Sequence, residues 1–374
     1  MKNSQKVKEI IETLEKEHIN LYHDITKEKI DKYIKSVAWD KLSDIEFDRE
    51  MLKLFHQFKD AHTNYYLSKE KNLQRYKNKF EYINRVSYVI IDGKYHEVLE
   101  INGKPMKEIV KSMTELLTYE TDAWKNYRLS LRLNFAYYYK MLGITNDNTL
   151  NLKVKRGNNV FDYKTEEMEI EETVKSFKKQ PNYSFKTIDD NVLYIKYSEC
   201  VEMKEYPFAD FVKDVKKACK ENNIENYIMD LRGNIGGDSR IIKPLLDLIA
   251  KLNINGVVLI DNGVFSSGRF AVADFKRRFD CPMIGQNTGG AAASYGYNKN
   301  LKAAGKSFSC SIRFWDFSDI FGYTGAIQPD LRVVNGPKDK EKGIDRQLEQ
   351  AKEYFKSKNL SINIGQKENY RIKL

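Results

Sequence analysis

The sequence predicts an α/β protein: a mostly parallel sheet covered by helices, with an N-terminal helical cap and a small β-rich module ahead of it. Three observations carry this. The last half alternates β-branched apolar runs with amphipathic helical segments, the pattern of a parallel sheet with helical crossovers. The first 66 residues place apolar side chains at helical spacing, whereas residues 80–170 change to the two-residue alternation of short strands. With 374 residues the chain exceeds one simple core, so three regions are expected, a cap at 1–66, a β-rich module at 80–170 and an α/β core at 185–374.

The cap is read from helical periodicity at 7–14, 27–37 and 44–58, separated by polar turns. It ends in Lys59-Asp-Ala-His-Thr63, where the helical period gives way to an extended segment with His62 at the change. The other histidines, His18, His23, His56 and His96, have no metal-ligand spacing or other special context. In the module, strands at 86–91 and 96–101 lead through the turn Asn102-Gly-Lys-Pro105 into a helix at 106–117, and a hairpin follows at 149–154 and 159–163. Such a module is either a plain linker domain or a peptide-docking one, since docking by strand addition needs only an open sheet edge. In the core, strands are expected at 192–197, 227–231, 257–261, 281–285, 308–314 and 331–334, with helices at 207–221, 239–252, 266–279 and 345–356.

Composition narrows the function. At 41% apolar and 31% charged residues the chain is globular. Lys+Arg 63 against Asp+Glu 53 gives a net charge of +10, but the lysines are scattered among the acids, and the densest basic run, 69–80, reads as a solvated, lysine-rich helical face. No recognition motif accompanies it, so nucleic acid is not an expected partner. The first residues lack the apolar core of a signal peptide, and the longest apolar stretch, 241–260, is interrupted by Lys243, Asp247 and Lys251, so a soluble, cytoplasmic chain without a membrane span is expected. Cys200, Cys219, Cys281 and Cys310 show no paired spacing and read as reduced core residues, with neither a zinc site nor a disulfide framework.

Sites in parallel sheets collect beyond the C-terminal ends of strands, and two stretches lie there. Ser266 follows one strand and opens a helix. A serine at that turn is either an ordinary N-cap or a nucleophile whose oxyanion would meet the helix's positive end. Asp230-Leu-Arg-Gly-Asn-Ile-Gly-Gly-Asp238 follows another, and Gly233, Gly236 and Gly237 let backbone N–H groups converge on an anion. Their spacing matches neither the phosphate loop nor the dinucleotide fingerprint, so an oxyanion hole is the functional reading and a glycine-rich turn the structural one.

Asp230 to Gly237, Leu259-Ile-Asp-Asn-Gly-Val-Phe-Ser-Ser-Gly268, Ile284-Gly-Gln-Asn-Thr-Gly-Gly290 and Ile327-Gln-Pro-Asp-Leu-Arg-Val333 resemble, in order, the core of the C-terminal processing and tricorn-core family of serine peptidases. Lys59 to Thr63 is similar to that family's Asp-Gly-His-Thr stretch, and Glu17 to Tyr22 to the leader of its helical cap. The resemblance implies a crotonase-like or ClpP-like core sheet, a degenerate PDZ-like module, a peptide or protein substrate, and no metal or organic cofactor. It places the nucleophile on Ser266, with Ser267 as rival, and the oxyanion hole on Gly236, Gly237 and the Ser267 N–H. Arg269 stands where the family has glutamate, a departure expected to alter a helix-surface contact.

One branch of the family activates its serine with a lysine just beyond the Thr-Gly region, where Ala291 stands; the tricorn-like branch uses a histidine, which falls on His62. An imidazole suits the task because its unperturbed pKa lies near neutrality. The resemblance puts the orienting glutamate in the segment before Gly325, which offers Asp316 and Asp319 but no glutamate; either aspartate serves or neither does, the latter leaving a Ser-His dyad or a degenerate, weakly active site. Two other readings remain open: a peptide-binding protein with the peptidase fold and no cleavage, and an acyl-thioester enzyme of the crotonase type.

Overall fold

The computed structural model describes residues 1–357 apart from 69, 70, 72, 73, 170, 171, 173–179 and 190. Part of the basic run at 69–80 and the C-terminal end of the expected core, 358–374, therefore lie outside the described residues. The chain forms two compact units, one of Met1–Lys179 with Gly289–Gly325 and the other of Gln180–Thr288 with Ala326–Leu374.

In the first unit the cap helices are α1 (Asn3–Glu17), α2 (Lys27–Ser36) and α3 (Asp44–His56). α3 begins at a capping box in which the Ser43 N–H donates to Glu46 at 2.9 Å. It buries Phe47, Met51, Leu54 and Phe55, one helical face. That face meets a three-stranded antiparallel sheet of β1 (Asn64–Tyr66), β14 (Lys306–Asp316) and β13 (Ala293–Ala303), in that order. Phe308 of β14 packs edge-on against Phe55 at 6.1 Å.

The strand expected at 308–314 in the parallel sheet is thus half of an antiparallel hairpin. The reason is its turn: Ala304 and Gly305 both have positive φ, 50° and 73°, the two-residue geometry that joins antiparallel neighbours. The β-rich module is a second sheet in the same unit. Its strands are β2 (Phe80–Ile83), β3 (Val86–Ile91), β4 (Lys94–Ile101), β5 (Lys104–Pro105), β6 (Thr149–Arg156) and β7 (Asn159–Glu166), ordered β2-β3-β4-β6-β7 with β5 on β4.

Three helices accompany this sheet, α4 (Met106–Thr114), α5 (Asp122–Arg132) and α6 (Ala136–Met141). The β2 edge is closed: Phe80 N–H donates to Asn134 at 2.8 Å and Tyr82 N–H to Ser130 at 3.0 Å. Strand addition there is blocked. The described part of the basic run is not helical, because Arg75 and Tyr76 form isolated bridges to Phe135 and Glu167.

The second unit carries the parallel sheet, ordered β15-β12-β11-β10-β9-β8. β8 (Tyr183–Ile188) is an antiparallel edge; β9 (Val192–Tyr197), β10 (Asn226–Asp230), β11 (Asn255–Ile260), β12 (Met283–Gly285) and β15 (Leu331–Arg332) run parallel. α7 (Phe208–Glu221), α8 (Lys243–Leu252) and α9 (Ser267–Phe279) are the crossovers between consecutive strands. All five residues of central β10 are buried, as a strand covered on both faces requires. Val192, Ile228, Val257, Leu259 and Ile284 pack with Ala351 and Phe355 of the helical segment 346–357. On the opposite face Tyr227 meets Phe275 of α9. All four cysteines are buried thiols, and among the described residues no helix is long and apolar enough to cross a membrane.

Candidate active site

Ser266 is held where β11 hands over to α9. Asp261, just past β11, accepts the N–H groups of Gly233 at 2.8 Å and Gly263 at 2.9 Å, tying the turn to the glycine loop after β10. Ser266 has φ 48° and ψ −123°, a region closed to most side chains, and its hydroxyl makes no capping bond although it occupies the N-cap position. The serine is half-buried and strained, and its hydroxyl is left out of helix capping, so it is not an ordinary N-cap.

The strain is held by packing. Phe265 N–H donates to the Asn234 carbonyl at 2.9 Å, and a Cβ on Gly268 would lie 2.3 Å from that oxygen, so the turn sits directly on the loop. Asn234 is fully buried; its Nδ2 donates to the Tyr197 carbonyl and its Oδ1 accepts the Gly236 N–H, each at 2.9 Å.

That last bond changes one expectation. The Gly236 N–H donates to Asn234 Oδ1, so of the three expected oxyanion donors it is the one already engaged. Neither the Gly237 nor the Ser267 N–H donates among the described residues, and Ser267 is the first residue of α9, where the helix dipole favours negative charge. Gly237 has φ 132°, and a Cβ there would meet the Cys200 carbonyl at 2.2 Å. Ser267 Oγ donates to the Gly237 carbonyl at 2.6 Å, which commits the rival hydroxyl to structure. Arg269 corrects another expectation: it is 1% exposed, inside a first helical turn buried at Ser267, Gly268 and Arg269 alike.

The loop is anchored below by ionic bonds. Arg232 chelates Asp230 at 2.9 and 2.6 Å and reaches Asp345 at 2.8 Å, while Tyr194 also donates to Asp230. Burial pushes the Asp230 carboxyl up, but the Arg232 hydrogen bonds and charge, with Lys196, outweigh it and hold the pKa down at about 2.

His62 is built in the first unit, between α3 and β1. Asp60 is 1% exposed and accepts three bonds: from the His62 backbone N–H at 2.8 Å, Thr63 Oγ1 at 2.6 Å and His18 Nε2 at 2.9 Å. Burial alone would raise its pKa; the His18 bond and the neighbouring His62 hold it well below the usual carboxylate range. His18, unremarkable in the sequence, therefore completes the support of the His62 loop. Ser309 Oγ donates to the His62 carbonyl at 2.8 Å, and the ring lies against Gly296 of β13, where a Cβ would come within 3.4 Å of Cε1.

A carboxylate that sequence reasoning missed also lies near this ring. One ligand atom each from Asp60, His62 and Glu120 lie within 4.8 Å of one another. Glu120 precedes α5 and its Oε1 accepts the Ala291 N–H at 3.1 Å, while Thr121, the α5 N-cap, donates to the Gly289 carbonyl at 2.6 Å. Asp316 and Asp319 are both exposed, and Asp316 caps the Ser318 N–H at 2.8 Å. Three such groups have the spacing of a metal site, but both Asp60 oxygens already accept short hydrogen bonds, so the donor set is a poor fit to a cation.

These features define a protein with the fold of the C-terminal processing peptidases. No family model and no curated protein matches the chain in sequence. Its fold is shared with mature CPAF (TM-score 0.62, 11% identity, 91% of this chain and 94% of that one). It is also shared with the photosystem II D1 C-terminal processing protease (TM-score 0.50, 11% identity, 90% and 94%). A putative peptidase from Parabacteroides merdae is similar too (TM-score 0.50, 15% identity, 94% and 96%).

Proposed function

We propose that the chain is a serine peptidase in which Ser266 is the nucleophile and His62 the general base. The observation that carries this is the backbone of Ser266, strained at a strand-to-helix turn with its hydroxyl left out of helix capping. The peptidase neighbours support the reaction class, and the buried Asp60 loop supports His62 as a positioned imidazole.

In this mechanism Ser266 Oγ attacks the scissile carbonyl as His62 takes its proton. The oxyanion that forms receives the N–H groups of Gly237 and Ser267 at the positive end of α9. His62 then delivers the proton to the leaving amine, and water, deprotonated by the same ring, hydrolyses the acyl-enzyme. The substrate is a peptide or unfolded protein segment.

The test is hydrolysis of a peptide library by wild type, Ser266→Ala and His62→Ala. Cleavage in wild type that is lost in both variants supports the reading. Peptide binding without Ser266-dependent cleavage overturns the enzyme assignment, and saturable acyl-thioester binding with cleavage indifferent to Ser266 favours the crotonase-type reading.

A further inference from the structure

We propose that Glu120 is the positioning carboxylate of His62, supplied from the segment ahead of α5 and held in place by the backbone of Ala291. The proposal rests on His62 being the general base. It departs from the expectation that the orienting group comes from Asp316 or Asp319.

Two carboxylates lie near the ring, each with an oxygen within 4.8 Å of a ring nitrogen: Asp60 from the loop of His62 itself, and Glu120 from the segment ahead of α5. They are not equivalent. Asp60 Oδ1 is taken by the His62 backbone N–H, and Oδ2 by His18 and Thr63. Its work is to fix the main chain that carries the imidazole. A carboxylate with both oxygens so engaged is poorly placed to follow a ring that must accept and release a proton.

Glu120 is placed differently. Its neighbour Thr121 caps α5, accepting the Trp124 N–H at 3.0 Å, and donates to the Gly289 carbonyl, so the residue next to Glu120 is held by two bonds. Ala291 N–H holds Oε1, which sets the direction of the carboxylate plane. The imidazole is backed by Gly296, where only the absence of a side chain lets the ring lie so close. The ring thus has the β13 backbone against it and an anchored carboxylate within 4.8 Å. A negative charge there favours the imidazolium that forms when the nucleophile gives up its proton, and fixes which ring nitrogen faces the substrate.

The experiment compares wild type, Glu120→Gln and Glu120→Asp in the full chain by two readouts. The first is the NMR titration of the His62 ring, assigned with His62→Gln. Glu120→Gln keeps the acceptor for Ala291 and removes only the charge. The His62 pKa is expected to fall by about one unit, because the carboxylate that favoured the protonated ring is gone. Glu120→Asp restores most of the shift.

The second readout is steady-state hydrolysis against pH. Glu120→Gln should lower kcat by roughly 10²- to 10⁴-fold with KM within about threefold, and the acid limb should move to lower pH. An unmoved His62 titration in Glu120→Gln overturns the proposal, whatever the activity does. A shifted titration with hydrolysis that survives His62→Ala upholds the positioning of the ring and refutes its role as the base.

Discussion

A Cβ placed on Gly236 would lie 2.7 Å from the Cβ of Ser266 and 2.7 Å from the Ser267 nitrogen. The glycine loop and the serine turn are therefore in backbone contact, and the strained Ser266 geometry is held by a neighbour that has no side chain to give way. Gly236→Ala must also adopt φ 110° with a Cβ, so it is expected to cost about 2–4 kcal/mol and to lower hydrolysis by at least ~10²-fold. Gly233 is the control: its φ is 75° but nothing lies within 4 Å of an added Cβ. Gly233→Ala should cost only about 1–2 kcal/mol of backbone strain. Thermal melts and kcat on both variants check the contrast.

The adjacent serines should separate cleanly. Ser267→Ala loses one hydrogen bond to the Gly237 carbonyl, worth about 1 kcal/mol, and keeps the N–H that the proposed mechanism assigns to the oxyanion. Its reaction with a fluorophosphonate is expected to stay within about tenfold of wild type, whereas Ser266→Ala should not react. Equal losses in both would contradict the division of labour between them.

The network under the glycine loop sets an acid limit on stability. Asp230 is held at about 2 in the folded protein, below the value of about 3.9 for an unfolded aspartate. Its folded pKa is depressed, so the stability it contributes is present above pH ~4 and is lost as pH falls from there towards 2. Denaturant midpoints measured across that window should fall steeply. In Asp230→Asn the slope is expected to be shallower, on a protein that is already weaker at neutral pH by about 3 kcal/mol, because Arg232 loses one of its two carboxylates.

His18 should matter more than its place in the sequence suggests. Its side chain and that of Asp60 are both wholly buried and 2.9 Å apart. His18→Ala leaves that buried carboxylate short of a partner, with an expected loss of about 3 kcal/mol. The His62 loop hangs on the same carboxylate, so kcat should fall while KM changes little. Melting temperature and steady-state kinetics on the one variant test both.

What the sequence made legible were features written locally. Strand-helix alternation foretold the parallel sheet from β9 to β12, and the apolar run into Ser266 foretold the turn on which that serine is strained. Contacts between distant segments were not legible. Glu120 meets Ala291 across 171 positions, and no pattern near either residue announces the bond. Arg269 is charged in a helix that reads as amphipathic, which points to the surface, yet Ser267, Gly268 and Arg269 at the start of α9 are all buried. The apolar run 308–314 reads as one more strand of the parallel sheet, whereas it pairs antiparallel with β13, a strand the sequence does not announce. The bond from Asn234 to the Gly236 N–H could have been found, since an asparagine two residues before a glycine is an ordinary turn-forming pair.

The central claim, that Ser266 is a nucleophile activated by His62, is tested most directly by mass-spectrometric mapping of a fluorophosphonate adduct on the intact protein. A single adduct on the peptide carrying Ser266, formed with an acid limb near the histidine range and at least ~10²-fold more slowly in His62→Ala, is the predicted result. An adduct elsewhere, or one on Ser266 whose rate ignores both pH and His62, would contradict it.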